Sequence, residues 1–218
     1  MLEPECPRCP RPLTGPGGGV SGSASAGEWT CEVHGAVPAL WRPRTAGYDA
    51  FGAHLARAQG LPTYLPWPLG SGWQVTDFGV VVGADRALAT VAHVAGSSAL
   101  DGPVEVLVVS EEPGTGLGAR CAGTIHSDPG AEIAGVPATA KVRLDSQSVP
   151  LWPVSASHAA PDLDRSVLAG EAEGRWLWIV LRPASAILLL HEEWTLTDVS
   201  GFGPQLLDLP FGGHPPSW

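Results

Sequence analysis

Lysine is almost missing from this chain: of 12 basic residues only Lys141 is a lysine, and the rest are arginine. With 22 acidic residues the net charge is −10, so nucleic acid is an unfavourable partner, because binding to it draws on cations that neutralise phosphates. Through position 45 the charges cancel, Arg8, Arg11, Arg42 and Arg44 against Glu3, Glu5, Glu28 and Glu32, and the acidic excess lies downstream. A basic stretch followed by an apolar one is missing at the N-terminus, which argues against a secretory signal. Long hydrophobic runs are missing too: Trp176 to Leu181 and Ala186 to Leu190 are strand-sized and too short to cross a bilayer. There is no Gly-x-Ser-x-Gly elbow and no Gly-Lys-Ser/Thr phosphate loop.

Cysteine is scarce, with four in 218 residues, and three of the four fall in the first 31 positions. Without an export signal to supply an oxidising compartment, metal binding is expected over disulfides, in a cytoplasmic protein. The abundance of Arg, Gly, Ala and Pro reads as the codon pressure of a GC-rich genome. What is present is a foldable chain, 44% hydrophobic, 16% charged and carrying nine tryptophans, long enough for one domain with a small appendage.

Cys6-Pro-Arg-Cys9 is a CxxC pair and Cys31-Glu-Val-His34 a CxxH pair. Two residues between ligands allow a tight turn to aim both at one ion, and the longer gap leaves room for a hairpin. The spacing predicts one structural Zn²⁺ per chain held by Cys6, Cys9, Cys31 and His34, since four protein ligands leave no position for a reactive water. Gly35 suits a turn after His34, and the run from Ala36 to Trp41 can return as the partner of Glu28-Trp29-Thr30. Pro10 stands where a glycine often follows such a pair.

The expected fold class is α+β and β-rich: a zinc-ribbon-like module over 1–45 with a mobile Gly/Ser loop at 15–27, a short helix and Pro/Trp connector over 46–72, a mostly antiparallel sheet domain over 73–210, and a tail over 211–218. Tyr48, Phe51, Leu55 and Ala58 share one face of a helix ending at Gln59 before Gly60. Three prolines in Leu61 to Leu69 favour an extended, partly polyproline path. Nine strands are predicted: Trp73–Gly83, Ala87–Ala95, Val104–Ser110, Ala140–Leu144, Val149–Val154, Ser166–Ala172, Arg175–Arg182, Ala186–His191 and Trp194–Val199. Short gaps make the last four an antiparallel meander, and the lack of long helices between strands excludes a doubly wound α/β fold.

Other groups carry weaker chemistry. Glu111 to Gly118 has the glycines of a phosphate loop without its lysine, and Cys121 has no activating neighbour in sequence and reads as a buried hydrophobe. His191-Glu192-Glu193 lacks a second histidine four residues on, and convergence of His93, His126, His158 and His191 on a second metal has no spacing behind it. Trp176 and Trp178 project from one face of a strand and, with Trp152 or Trp194, can pack a core or line a pocket.

The succession CPRC, WTCEVHG, LPWPLGSGW, GLGAR, PLWPVS and LAGEAEGRWLWIVL resembles an uncharacterised family of actinobacterial proteins with a ribbon-like head. The resemblance implies a metal-binding head and a body of unknown activity, and supplies no catalytic residues. The function expected is that of a zinc-binding, non-enzymatic interaction or regulatory protein, the ribbon and the Pro/Trp segment facing a protein partner. The alternative is a ligand-binding or enzymatic β-rich body with a Trp-lined pocket. Neither nucleic acid nor a membrane is expected as a partner.

Overall fold

The computed structural model describes residues 1–15, 29–124, 126–133, 135–155, 164–192 and 194–218. The Gly/Ser stretch from 16 to 27, Glu28, His158 and Glu193 lie outside them. In chain order the strands are β1 (Leu2–Glu5), β2 (Trp29–Cys31), β3 (Gly35–Val37), β4 (Ala39–Pro43), β5 (Tyr64–Pro66), β6 (Gln74–Val82), β7 (Ala87–Ser98), β8 (Gly102–Glu111), β9 (Ala140–Leu144), β10 (Gln147–Pro153), β11 (Ser166–Ala172), β12 (Arg175–Arg182) and β13 (Thr195–Asp198). Two α-helices, α1 (Tyr48–Arg57) and α2 (Leu117–Ala122), accompany them among the described residues.

Eleven strands form one sheet in the order β1-β4-β6-β7-β8-β12-β11-β10-β9-β13-β5, and β2 pairs with β3 in a separate hairpin. The pairing is antiparallel except where β13 runs parallel to β9. The central strands are buried on both faces. On β8, Val104, Val106 and Val108 enter one core, while Leu107 and Val109 enter the other. That is why β6, β8 and β12 read as nearly unbroken apolar runs and not as an alternation with polar residues.

Each face has its helix. Against the first, α1 lays Phe51 on Phe78 at 4.9 Å between ring centroids and stacks it on His54, whose Nε2 meets Thr63 Oγ1 at 2.9 Å. Full burial pulls His54 down to about 3, so it stays neutral at physiological pH. Against the second, α2 sets Leu117, Cys121 and Ala122 beside Trp178. Gly118 is required there, because a Cβ would stand 2.2 Å from the Trp178 indole nitrogen.

Residues 1–45 contribute β1 and β4 to the edge of the large sheet, and Cys6, Leu13, Trp29 and Cys31 join the same core as Phe51 and Phe78. Near the other end, Arg42 donates to the carbonyl of Pro216, and Trp218 lies between the guanidinium groups of Arg42 and Arg120.

One predicted strand is not a strand. Residues Ala184–Glu192 form a 3₁₀ helix, and the meander expected of the last four strands stops at β11-β12. Short apolar runs are ambiguous by periodicity, and this one is built of Ala and Leu, good helix formers, directly after Pro183, a residue suited to a helix start. The chain leaves β12 through that helix, and β13 pairs with β5 and β9 instead. The proline-containing β5 sits at the sheet's edge, where a missing N–H is tolerated.

Candidate metal centre

Cys6 follows β1 directly, Cys9 lies in the turn beyond it, Cys31 ends β2, and His34 precedes β3. The β2-β3 register, Trp29 with Val37 and Cys31 with Gly35, makes a hairpin with only Ala36 and Val37 of the expected run, since Ala39 to Trp41 pair in the large sheet instead, and Gly35 has φ +68°, a left-handed turn conformation that favours glycine. A backbone bond from Cys6 N to Arg11 O at 3.0 Å closes the first knuckle, and Thr14 and Thr30 exchange two more that dock it on the hairpin.

The ligand atoms of Cys6, Cys9, Cys31 and His34 all lie within 4.8 Å of one another. Cys6 Sγ is 3.5 Å and Cys31 Sγ 3.6 Å from His34 Nδ1, and the sulfurs of Cys9 and Cys31 are 3.7 Å apart. A tetrahedral ion with metal–sulfur and metal–nitrogen distances of about 2.3 and 2.05 Å sets edges of about 3.8 Å between sulfurs and about 3.6 Å between sulfur and nitrogen. These three edges match both. The same 3.7 Å is far beyond a covalent S–S bond of about 2.05 Å. The four residues are therefore close enough to bind one metal ion, and zinc is compatible with the set.

Burial shapes the thiols unequally. It pushes Cys6 up to about 12, against the Arg8 amide that reaches its sulfur at 3.4 Å. It also opposes ionisation of Cys31, but the amides of Val33 and His34 and the His34 ring outweigh it and bring that thiol down to about 6. Cys31 is thus the ligand poised as a thiolate, while ionising Cys6 requires a cation to replace the water it has lost.

The knuckle is wired into the body. Arg8 donates to the carbonyls of Gly114 at 2.8 Å and Thr115 at 3.3 Å, and Arg120 of α2 reaches back to the Cys6 carbonyl and, at 2.7 Å, to Glu5. Neither arginine stood out in the sequence, because both partners are more than 100 residues away. The glycine loop between them is not an open anion site: the Glu111 carboxylate accepts from the amides of Leu117 at 2.8 Å and Gly118 at 3.2 Å. Burial raises Glu111 to about 7 despite those two bonds.

The whole chain, residues 1–218, matches a protein family described as a family of unknown function, DUF6758. The chain belongs to this family. No curated protein and no solved structure matches it. For this DUF6758 member the remaining candidates can be placed one by one. Cys121 is fully buried, its thiol pushed far up by desolvation, as expected of a buried hydrophobe. His93 is buried between Thr76 Oγ1 and Glu105, 3.7 Å from the latter, whereas His126 is exposed. Among the described residues, the N-terminal group is the one metal-competent cluster.

Trp176 and Trp178 pack into the core beneath α2, and Trp152 is tied elsewhere through its indole N–H to the Val136 carbonyl. Trp194 faces Trp73 instead, edge to face at 6.0 Å. With Trp67 these two line a cleft of about 330 Å³. Trp67 is positioned by its amide bond to Thr195 O, and Trp73 by the Gly70 carbonyl. No described helix is long and apolar enough to cross a membrane.

Proposed function

We propose that this protein is a cytoplasmic zinc protein without catalytic activity, in which one structural zinc per chain locks a ribbon-like head onto a sheet that serves protein interaction. The observation that carries the reading is the gathering of Cys6, Cys9, Cys31 and His34 within 4.8 Å of one another, with three of the distances matching tetrahedral edges. A set closed by four protein ligands holds structure and offers no site for a metal-bound water. The wiring through Arg8 and Arg120 extends the ion's influence beyond its ligands, because fixing the Cys6–Cys9 knuckle also fixes what that knuckle holds, the Gly114–Thr115 turn and α2.

The cleft formed by Trp67, Trp73 and Trp194 favours a ligand-accepting surface in the Pro/Trp segment, in keeping with a partner docked there. Elemental analysis of protein purified without chelator tests the metal: one zinc per chain, lost in Cys31→Ser, is the expected result. A folded, metal-free wild-type protein would overturn it. Reciprocal capture of one identified partner at fixed stoichiometry tests the interaction, and the absence of any saturable partner would refute it.

A further inference from the structure

We propose that the cleft where β5 and β7 end and β13 begins binds a proline-rich segment in the polyproline II conformation, carried by a protein partner and flanked by Arg or Lys. This deepens the interaction reading above and rests on it. The first support is charge. The chain carries −10, yet not one of the residues lining the cleft is charged. Seating an ion there would strip its hydration with nothing to replace it, so the bound part of the ligand is neutral.

The second support is hydrogen-bond polarity. Among the described residues no acceptor takes the indole N–H of Trp67, Trp73 or Trp194, and the Ser97 and Thr195 hydroxyls add further groups able to donate. The lining is thus rich in neutral donors. Polyproline II has no internal hydrogen bonds, so its carbonyls are free to accept, and proline has no N–H in need of an acceptor. A sugar would bring a dense set of hydroxyl donors, and the cleft has no carboxylate or side-chain amide to receive them.

Shape is the third support. Trp73 and Trp194 pack edge to face at 84°, so the two rings form one continuous aromatic wall against which a ligand can lie. Trp73 is held in place from beneath: a Cβ on Gly96 would come within 2.3 Å of its ring, and one on Gly70 within 3.0 Å. Rigid aromatic walls bind with little loss of side-chain entropy, and a preformed polyproline turn costs little to order. About 330 Å³ suits roughly one turn, about three residues. The flanking cations follow from the field of the molecule and from Asp101, which accepts from Ser98 of the lining at 3.0 Å.

The test uses the intact, zinc-loaded chain labelled with ¹⁵N at its nine indoles. The probe is decaproline with one arginine at each end, beside decaalanine with the same ends and the neutral disaccharide cellobiose. The expected result is saturable movement of the Trp67, Trp73 and Trp194 indole signals alone, with the alanine peptide at least about tenfold weaker. Gly96→Ala, which displaces Trp73 without removing it, is expected to weaken the proline peptide by about tenfold as well. Equal binding of the alanine peptide, movement confined to other tryptophans, movement with cellobiose alone, or none at millimolar peptide would each overturn the proposal. If a reciprocal partner is still captured in those cases, the interaction reading stands and only the ligand class falls.

Discussion

The metal centre and the tryptophan cleft are both built at the ends of strands, but they are assembled over very different distances along the chain. The four metal ligands come from residues 6 to 34, and their geometry follows from two tight turns and one hairpin. The three tryptophans come from positions 67, 73 and 194, and meet because β13 pairs with β5. One site is written in local spacing, and an ion bound there would hold it. The other is a product of topology and is held by packing. Their responses to perturbation should differ in size and in kind.

Removing a ligand should produce the largest effect. Cys31→Ser is expected to abolish zinc binding and cost about 4 kcal/mol or more, because the energy of metal binding is also folding energy. For a domain of this size that lowers the melting temperature by roughly 10 °C. Cys121→Ala, equally buried but outside the cluster, should cost only about 1 kcal/mol and leave zinc at one per chain. Calorimetry with metal analysis checks both, and equal effects would erase the distinction between a ligand and a core cysteine.

Next in size is a dependence on pH that belongs to the body. Glu111 is held near 7 by burial against an ordinary 4.5, so the folded state favours its protonated form. Between about 4.5 and about 7 the unfolded chain has lost this proton while the folded one retains it. Stability from this group is therefore complete below 4.5, falls as pH rises, and is gone above 7. The loss amounts to roughly 3 kcal/mol at 1.36 kcal/mol per pH unit. Denaturant melts of wild type and Glu111→Gln from pH 5.5 to 8 should diverge by about 2 kcal/mol, the part of that loss that falls above pH 5.5, with the variant the flatter; parallel curves would remove Glu111 as the cause.

This contrast also explains what could be read from the sequence. The helix from Tyr48, the strands around Val80, Val91, Val106 and Ile179, and the Cys/His set depend on neighbours within a few residues or one hairpin, and spacing reports such contacts. The edge strand β1 was not legible, since Leu2–Glu5 carries no alternation and gains its place only by pairing with β4. The apolar run Ala186–His191 is too short for periodicity to separate strand from helix, and its Ala and Leu content after Pro183 goes with the 3₁₀ helix that forms. Trp176 and Trp178, with Trp152 or Trp194, were the pocket candidates in the sequence, but the structure puts Trp176 and Trp178 under α2, and the cleft joins Trp194 to Trp67 and Trp73. Strand order is a long-range property, and neither periodicity nor spacing encodes it.

The link between the metal knuckle and α2 can itself be cut. Arg120 is almost fully buried, and Arg120→Met would leave the Cys6 carbonyl and Glu5 without their partner at the back of the knuckle. Because Glu5 is about one-third exposed, water should recover part of the loss, leaving about 2 kcal/mol. Competition with a chelator should show weaker zinc retention in this variant, although no ligand is changed. Unaltered retention would mean that the knuckle forms independently of α2.

The smallest effect should come from Gly96→Ala. The added methyl must push Trp73 off its seat, because no ring atom can remain 2.3 Å from a Cβ. Trp73 is only half-buried and opens toward the cleft, so it can swing outward instead of straining the sheet, and the cost should be about 1 kcal/mol. The indole signals of Trp73 and Trp194 should move while zinc content remains one per chain. A cost above about 3 kcal/mol would show that Trp73 braces the fold, in the way Trp178 does beneath Gly118. A small cost with displaced indole signals would show that the β5–β13 edge can vary its aromatic wall without disturbing the sheet, the property a binding cleft requires and a core does not.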